Sequence, residues 1–170
     1  MHINNFAFTE ILSDMNKKIK FLSLDVDGVL TDGGIYLTDN GDISKKFNVK
    51  DGVGIRNALS KGIEVGFITA GTKGHKLVEE RAKMLGVKFV YSGKEEKLDI
   101  MKKWCVKLKI TLDEVAHIAD DTNDLKLLFA VGLSACPADA VNEVKKNVDV
   151  VLGKNGGDAC VREFIEKYLL

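Results

Sequence analysis

The stretch Phe21-Leu22-Ser23-Leu24-Asp25-Val26-Asp27-Gly28-Val29-Leu30-Thr31-Asp32 decides the fold of this 170-residue chain. Its apolar start predicts a buried strand, which runs into two carboxylates, Asp25 and Asp27. Gly28 then allows the backbone to turn sharply. In open α/β sheets the ligand crevice lies outside the carboxyl ends of the strands. The placement of these acids therefore favours a functional site.

A second acidic group ends another predicted strand, in Val115-Ala116-His117-Ile118-Ala119-Asp120-Asp121-Thr122-Asn123-Asp124. If the two strands are parallel neighbours, Asp120 lies beside Asp25, and carboxylates at that spacing repel one another. A hard divalent cation relieves this repulsion. Mg²⁺ prefers oxygen ligands, so an acid cluster without nearby His or Cys ligands suits it better than zinc. Either group alone could be a helix cap, but the two together predict a magnesium site.

Two further residues complete a predicted phosphate site. Thr69 ends an apolar run and can offer its hydroxyl and nearby backbone N–H groups to a phosphate. Lys97 follows the strand predicted over 88–91 and can supply a cation. Singly, such a threonine is more often a helix N-cap and such a lysine a solvated charge. Their order along the chain, each after its own strand, supports the functional interpretation.

Outward from these motifs, short apolar runs alternate with longer amphipathic stretches from Ile19 onward, which is typical of βα units around a parallel sheet. The sequence predicts strands over 20–26, 64–69, 88–91, 115–119, 132–135 and 148–152. It predicts helices over 52–60, 74–85, 94–108, 123–131, 138–147 and 158–168. The expected fold class is α/β, a Rossmann-like three-layer parallel sheet.

Residues 34–49 interrupt this alternation. Two extended runs, 35–37 and 43–47, flank Asn40-Gly41, which is a strong hairpin signal and predicts a small β-hairpin flap. Thr111 and Glu114 have capping-box spacing, which predicts a short helical turn before the strand at Val115. We interpret residues 1–18 as an N-terminal extension and 19–170 as a single domain.

Composition excludes several classes of function. Lys+Arg and Asp+Glu both number 25, so the chain lacks the basic footprint of a protein that binds nucleic acid through phosphates. No apolar run approaches the ~18 residues of a membrane span and no leader pattern is present, so we expect no membrane partner and a cytoplasmic location. Cys105, Cys136 and Cys160 lack CxxC spacing and are expected to be reduced and mostly buried. His117, within a predicted strand, is interpreted as a hydrogen-bonded core residue.

Read in order, the motifs are Asp-x-Asp-Gly-x-x-x-Asp, then Thr, then Lys, then Asp-Asp-x-Asn-Asp. With them the chain resembles the haloacid dehalogenase superfamily of phosphohydrolases over residues 25–124. Three finer features narrow the resemblance: the hairpin in place of a large cap domain, the run 46–55, and Gly156-Gly157 with Val161-Arg162-Glu163. These features resemble phosphatases of 3-deoxy-D-manno-octulosonate (KDO) 8-phosphate. The resemblance implies a HAD-like fold and a sugar-acid phosphatase.

The same resemblance implies a mechanism. Asp25 would attack phosphorus and form an aspartyl-phosphate, while Asp27 would protonate the departing sugar oxygen and then activate water. Mg²⁺ would be bound by the Asp25 carboxylate, the Asp27 carbonyl and a third acid, with two more acids ordering its waters or the lysine. The implied metal set is Asp25, Asp27, Asp120, Asp121 and Asp124. Its catalytic companions are Thr69 and Lys97, which would balance charge on the phosphoryl oxygens.

For the substrate, the resemblance implies contacts from the residues after the hairpin and from two arginines, in addition to Thr69 and Lys97. These are Asn48, Val49, Lys50, Asp51, Gly52, Arg56 and Arg81. An arginine suits the carboxylate of a 2-keto acid through its two-pronged geometry. The similar small-hairpin phosphatases are tetramers in which a hairpin and a C-terminal tail close the neighbouring active site. We therefore expect a homotetramer with shared active sites.

Three other functions stay open. Ala70-Gly71 stands where such phosphatases often have Gly-Arg, which leaves the sugar acid undecided. Asp158 stands where an arginine is common, and it favours the related phosphatases of sialic-acid-type nonulosonate 9-phosphates. A non-catalytic tetramerisation module of this fold is disfavoured because the nucleophile, the metal acids and the lysine are all present. A receiver domain is disfavoured because its lysine would come last.

Overall fold

The computed structural model of the chain describes residues 19–71 and 74–170. Six strands form the main sheet: β1 (Phe21–Leu24), β4 (Glu64–Thr69), β5 (Phe89–Ser92), β6 (Val115–Ile118), β7 (Leu133–Cys136) and β8 (Val150–Val151). Their order is β5-β4-β1-β6-β7-β8, and every pairing is parallel. Two further short strands, β2 (Tyr36–Leu37) and β3 (Ile43–Ser44), pair as an antiparallel hairpin.

Helices cover both faces of this sheet. They are α1 (Val49–Ser60), α2 (His75–Leu85), α3 (Lys97–Leu108), α4 (Leu125–Leu128), α5 (Asn142–Lys145) and α6 (Cys160–Phe164), which continues through Ile165–Leu169. Side chains alternate across a strand, so neighbouring β1 residues serve opposite faces. Leu22 packs with residues of α1, α2 and α6, whereas Phe21 packs on the other face beside Trp104 of α3. The predicted three-layer α/β architecture is confirmed.

All six predicted strands are present, but several elements are shorter than predicted. β1 ends at Leu24 rather than at 26, because the chain turns through Val26–Leu30 with Gly28 at a φ of +87°. The helix predicted over 138–147 is only α5, because the Val141 N–H donates to the Asp120 carbonyl and keeps the backbone extended there. The hairpin prediction is confirmed, although β3 ends at Ser44 rather than at 47.

Three smaller predictions can also be checked. The capping box is present: the Thr111 N–H donates to Glu114 Oε2 at 2.9 Å, and a 3₁₀ turn over Leu112–Glu114 precedes β6. All three cysteines are free and buried. Within the ranges that the structure describes, no helix is long and apolar enough to cross a bilayer. The predicted extension over residues 1–18 lies outside the described residues.

Candidate active site

The carboxyl ends of three adjacent strands meet at one edge of the sheet. The register pairs Leu24 of β1 with Phe67 on one side and with Ile118 on the other. The residues that follow β1, β4 and β6 therefore emerge together, around a cavity of about 300 Å³. Its lining residues are Asp25, Asp27, Gly33, Thr69, Ala70, Gly71, Asp120, Asp121 and Asn123. The structure thus brings both acidic motifs and the predicted threonine to one place.

Lys97 is buried at the start of α3 and contacts two carboxylates. Its Nζ lies 2.8 Å from Asp25 Oδ1 and 2.7 Å from Asp124 Oδ2. Burial alone would lower the pKa of this ammonium, but the two carboxylates outweigh burial and raise the pKa of Lys97. The predicted lysine is therefore a fixed cation next to the predicted nucleophile.

Asp124 anchors Lys97 from below the turn Thr122–Asp124, where its side chain is fully buried. Its second oxygen, Oδ1, lies 3.2 Å from His117 Nε2, and His117 Nδ1 lies 3.3 Å from the Ser23 carbonyl oxygen. Burial would raise the pKa of Asp124, but His117 and Lys97 hold it below its usual value. His117 is the hydrogen-bonded core residue that was predicted. Its partner, however, belongs to the candidate site.

Asp25 and Asp120 are the buried carboxylates best placed for a cation. Burial, followed by the charge of Asp25, raises the pKa of Asp120 to about 7. A Cβ on Gly28 would lie 2.0 Å from Asp120 Oδ2, so the absence of a side chain there makes room for this carboxylate. Among the described residues, no three His, Cys, Asp or Glu side chains form a ready-made ligand group. Two carboxylates nevertheless fit Mg²⁺, which keeps several waters and accepts a substrate phosphate oxygen.

Thr69 and Asp121 shape the rim of the cavity. Thr69 Oγ1 accepts the N–H of Gly71 at 3.1 Å, which folds the loop after β4 back onto the strand end. Asp121 Oδ1 accepts the N–H of Thr122 at 2.6 Å and thereby caps the turn that carries Asn123. Both side chains are therefore held in place by their own backbone surroundings.

The residues predicted to contact the sugar do not line this cavity within a single chain. Asn48 caps α1, since its Oδ1 accepts the N–H of Lys50 at 2.9 Å, and its Nδ2 donates to the Gly157 carbonyl at 3.1 Å. Val49, Lys50 and Arg56 are exposed on α1. These positions belong to the rim between α1 and the C-terminal segment rather than to the cavity itself.

Asp51, Gly52 and Arg81 pack α1 against its neighbours. Asp51 is buried, and its Oδ1 accepts the N–H of Arg162 at 2.8 Å. Arg81 Nη2 donates to the Asn48 carbonyl at 3.0 Å, and a Cβ on Gly52 would lie 2.7 Å from that nitrogen. In a single chain these residues thus hold the start of α1. Their role in binding substrate stays a prediction.

Two cavity residues were missed by the sequence analysis. Lys45, from the hairpin, contacts Asp27 Oδ1 through its Nζ, and its side chain is only 10% exposed. No sequence signal points to it, because two adjacent lysines in a hairpin normally read as solvated charges. Asn123 lines the cavity beside Asp121. Its signal was present, since it stands inside the second acidic motif.

Comparison with known proteins agrees with this geometry. A family model of the haloacid dehalogenase-like hydrolases matches residues 82–165. The 3-deoxy-D-manno-octulosonate 8-phosphate phosphatase KdsC of Escherichia coli strain K12 is 44% identical over 154 residues, which cover 91% of this chain and 81% of that protein. The chain belongs to this family of haloacid dehalogenase-like phosphatases. The resemblance inferred from the motifs is confirmed.

Solved structures of the same phosphatase family share the whole fold. The 3-deoxy-D-manno-octulosonate 8-phosphate phosphatase of Yersinia pestis has a TM-score of 0.87 at 36% identity, covering 91% of this chain and 83% of that one. The phosphatase of Moraxella catarrhalis, in complex with a magnesium ion, a phosphate ion and KDO, has a TM-score of 0.88 at 32% identity. That match covers 97% of this chain and 90% of the other.

Proposed function

We propose that the protein is a Mg²⁺-dependent phosphatase that hydrolyses KDO 8-phosphate to KDO and inorganic phosphate in the cytoplasm. The observation that supports it best is the pair of Asp25 and Lys97, with Nζ 2.8 Å from Oδ1, at a cavity that Asp27, Thr69 and Asp120 also line. A nucleophile, a proton donor and cations for the phosphoryl oxygens thus occur together. Relatives named for this activity match nearly the whole chain.

In the proposed mechanism Asp25 attacks phosphorus, and the bond from phosphorus to the sugar oxygen breaks as the aspartyl-phosphate forms. Asp27 gives its proton to the departing sugar oxygen and then takes a proton from the water that attacks the intermediate. Inorganic phosphate leaves and the Asp25 carboxylate is restored. Lys97 and Thr69 stabilise the charge on the transferring phosphoryl group, where most of the catalytic stabilisation lies.

The metal site follows from the same carboxylates. Asp25, Asp120 and the Asp27 carbonyl would hold Mg²⁺, with Asp121 ordering its waters and Asp124 orienting Lys97. When bound, the ion neutralises the facing carboxylates and draws charge from the phosphoryl oxygens. The raised pKa of Asp120 and the space at Gly28 support this assignment.

We also propose that the protein is a homotetramer whose active sites are shared between subunits. The hairpin exposes Ile35 (75%) and Leu37 (68%), and Val49 at the start of α1 is 74% exposed. An isolated two-stranded hairpin is marginally stable in water, so a second copy that covers these apolar residues would stabilise it. The predicted sugar contacts outside the cavity fit the same idea. Sedimentation alongside activity tests it, and a fully active monomer would rule it out.

A nonulosonate 9-phosphate, of sialic acid or its deaminated analogue, is the second candidate substrate. Ala70 and Gly71 line the cavity and bring no cation to it. Asp158 adds a negative charge to the C-terminal segment that carries Gly157. Both features would disfavour one sugar acid relative to another without affecting the phosphoryl chemistry.

The test is phosphate release by the purified protein from KDO 8-phosphate and N-acetylneuraminate 9-phosphate, each with Mg²⁺ and with chelator. We expect metal-dependent release, with KDO 8-phosphate turned over faster. A clear preference for the 9-phosphate would assign the protein to nonulosonate synthesis. No release from either would favour another phosphate ester or a non-catalytic assembly role.

A further inference from the structure

Lys45 stands apart from the other hairpin side chains because it points into the protein. Its side chain is 10% exposed, whereas that of the adjacent Lys46 is 67% exposed. A Cβ on Gly74 would lie 3.2 Å from Lys45 Cε and 3.7 Å from Ile43 Cγ2, so the hairpin packs against the start of α2. The contact fixes the long side chain of Lys45 over its full length.

The ammonium of Lys45 contacts one oxygen of Asp27 and leaves the other free. Nζ binds Asp27 Oδ1, while a Cβ on Gly71 would lie 3.2 Å from Asp27 Oδ2. Oδ2 therefore faces the loop that lines the cavity after Thr69. A carboxylate attached to the backbone turn alone could rotate, but one whose Oδ1 is held by a buried ammonium has a defined orientation.

We propose that Lys45 is a positioning residue: it orients the Asp27 carboxylate so that Oδ2 meets the leaving oxygen of the substrate. The proposal rests on the proposed function, since it takes Asp27 as the proton donor. Proton transfer depends on hydrogen-bond geometry between donor and leaving atom. Lys45 thus links the position of the hairpin to the protonation of the leaving group.

Two esters that differ only in leaving-group acidity test this role. Phenyl phosphate needs a proton on its departing oxygen, whereas p-nitrophenyl phosphate releases a stable anion and hardly needs one. The kcat/KM value covers all steps up to departure of the leaving group, so it isolates the step that Lys45 affects. Neither ester carries a sugar acid, so lost sugar contacts cannot mimic the effect.

For Lys45→Met we expect kcat/KM to fall at least about tenfold on phenyl phosphate but less than about threefold on p-nitrophenyl phosphate, within the range of general-acid contributions. Lys45→Arg should recover most of the loss, because it restores a cation. The matched control, Lys46→Met, should leave both values unchanged. Circular dichroism would show that each variant is folded.

Equal losses on the two esters, or no loss on either, would overturn the role of Lys45 while leaving the phosphatase function intact. A wild-type protein that hydrolyses none of the phosphate esters would instead refute the proposed function. The two failures are therefore distinguishable in the same set of assays.

Discussion

Lys97 and Asp25 form a buried ion pair, with Nζ 2.8 Å from Oδ1 and side chains only 5% and 8% exposed. The pair joins the start of α3 to the end of β1. Such a pair orients the carboxylate and places a positive charge where negative charge develops on a transferring phosphoryl group. The arrangement is built before any substrate arrives, because Asp124 and His117 hold Lys97 from the other side.

Replacing the nucleophile should abolish turnover without unfolding the protein. Asp25→Asn keeps the size of the side chain, but an amide does not attack phosphorus. We expect a folded protein by circular dichroism and no detectable phosphate release. Asp99→Asn, an exposed acid on α3, is the matched control and should stay fully active. Normal release by folded Asp25→Asn protein would exclude the covalent mechanism.

Removing the buried cation should affect both stability and activity. Lys97→Met leaves Asp25 and Asp124 buried without their shared partner, and breaking a buried pair costs about 3–5 kcal/mol. Urea denaturation should show this loss, together with the loss of phosphate release. Lys102→Met breaks only the exposed pair with Asp99 and should cost no more than about 0.5 kcal/mol. Similar costs for the two variants would contradict the assigned role of the buried pair.

Gly28 should matter for metal binding beyond its backbone conformation. Gly28 and Gly62 have φ values of +87° and +83°, but only a Cβ on Gly28 meets another group, Asp120 Oδ2 at 2.0 Å. Both alanine variants should lose about 1–2 kcal/mol of stability through backbone strain. Only Gly28→Ala should also require much more Mg²⁺ for activity, measured by Mg²⁺ titration of phosphate release. Equal Mg²⁺ requirements would contradict the placement of Asp120.

Asp51 should make stability depend on pH. Burial raises the pKa of Asp51 from 3.8 to about 6, although the N–H groups of Arg162 and Val161 oppose this. The folded protein therefore holds this proton more tightly than the unfolded chain, so the free energy of unfolding falls as the pH rises from about 4 to about 6. The full loss is roughly 2–3 kcal/mol.

Asp51→Asn should remove this contribution, since an amide does not ionise and can still accept the Arg162 N–H. Urea unfolding of both proteins across this range gives the comparison. The wild-type protein should lose stability relative to the variant as the pH rises, and then run parallel to it above about pH 6. Parallel profiles over the whole range would show that Asp51 is not the buried acid responsible.

The sequence predicted the elements whose cause is local and missed those that depend on packing between distant segments. Asp25 and Asp120 could be placed together because parallel neighbouring strands end at one edge of a sheet. Thr69 and Lys97 followed from the order of motifs along the chain. Lys45 could not be found, because its contact with Asp27 depends on how the hairpin packs on α2.

The predicted sugar contacts illustrate the same limit. Residues 48–52 were assigned by resemblance, and the local role of Asn48 as a helix cap is what the structure describes. Arg81 reaches the Asn48 carbonyl only because α2 packs beside α1. Whether such residues meet a substrate depends on how subunits assemble, and no pattern within one chain specifies that.

The most direct test of the central claim is capture of the phosphoryl group on Asp25. The Asp27→Asn variant, mixed with p-nitrophenyl phosphate and Mg²⁺, lacks the base that hydrolyses the intermediate, while its leaving group departs without an acid. Acid quenching followed by peptide mass spectrometry should find the phosphoryl group on Asp25, and chelator should prevent it. Release of nitrophenol with no phosphoryl group on Asp25 would contradict the account.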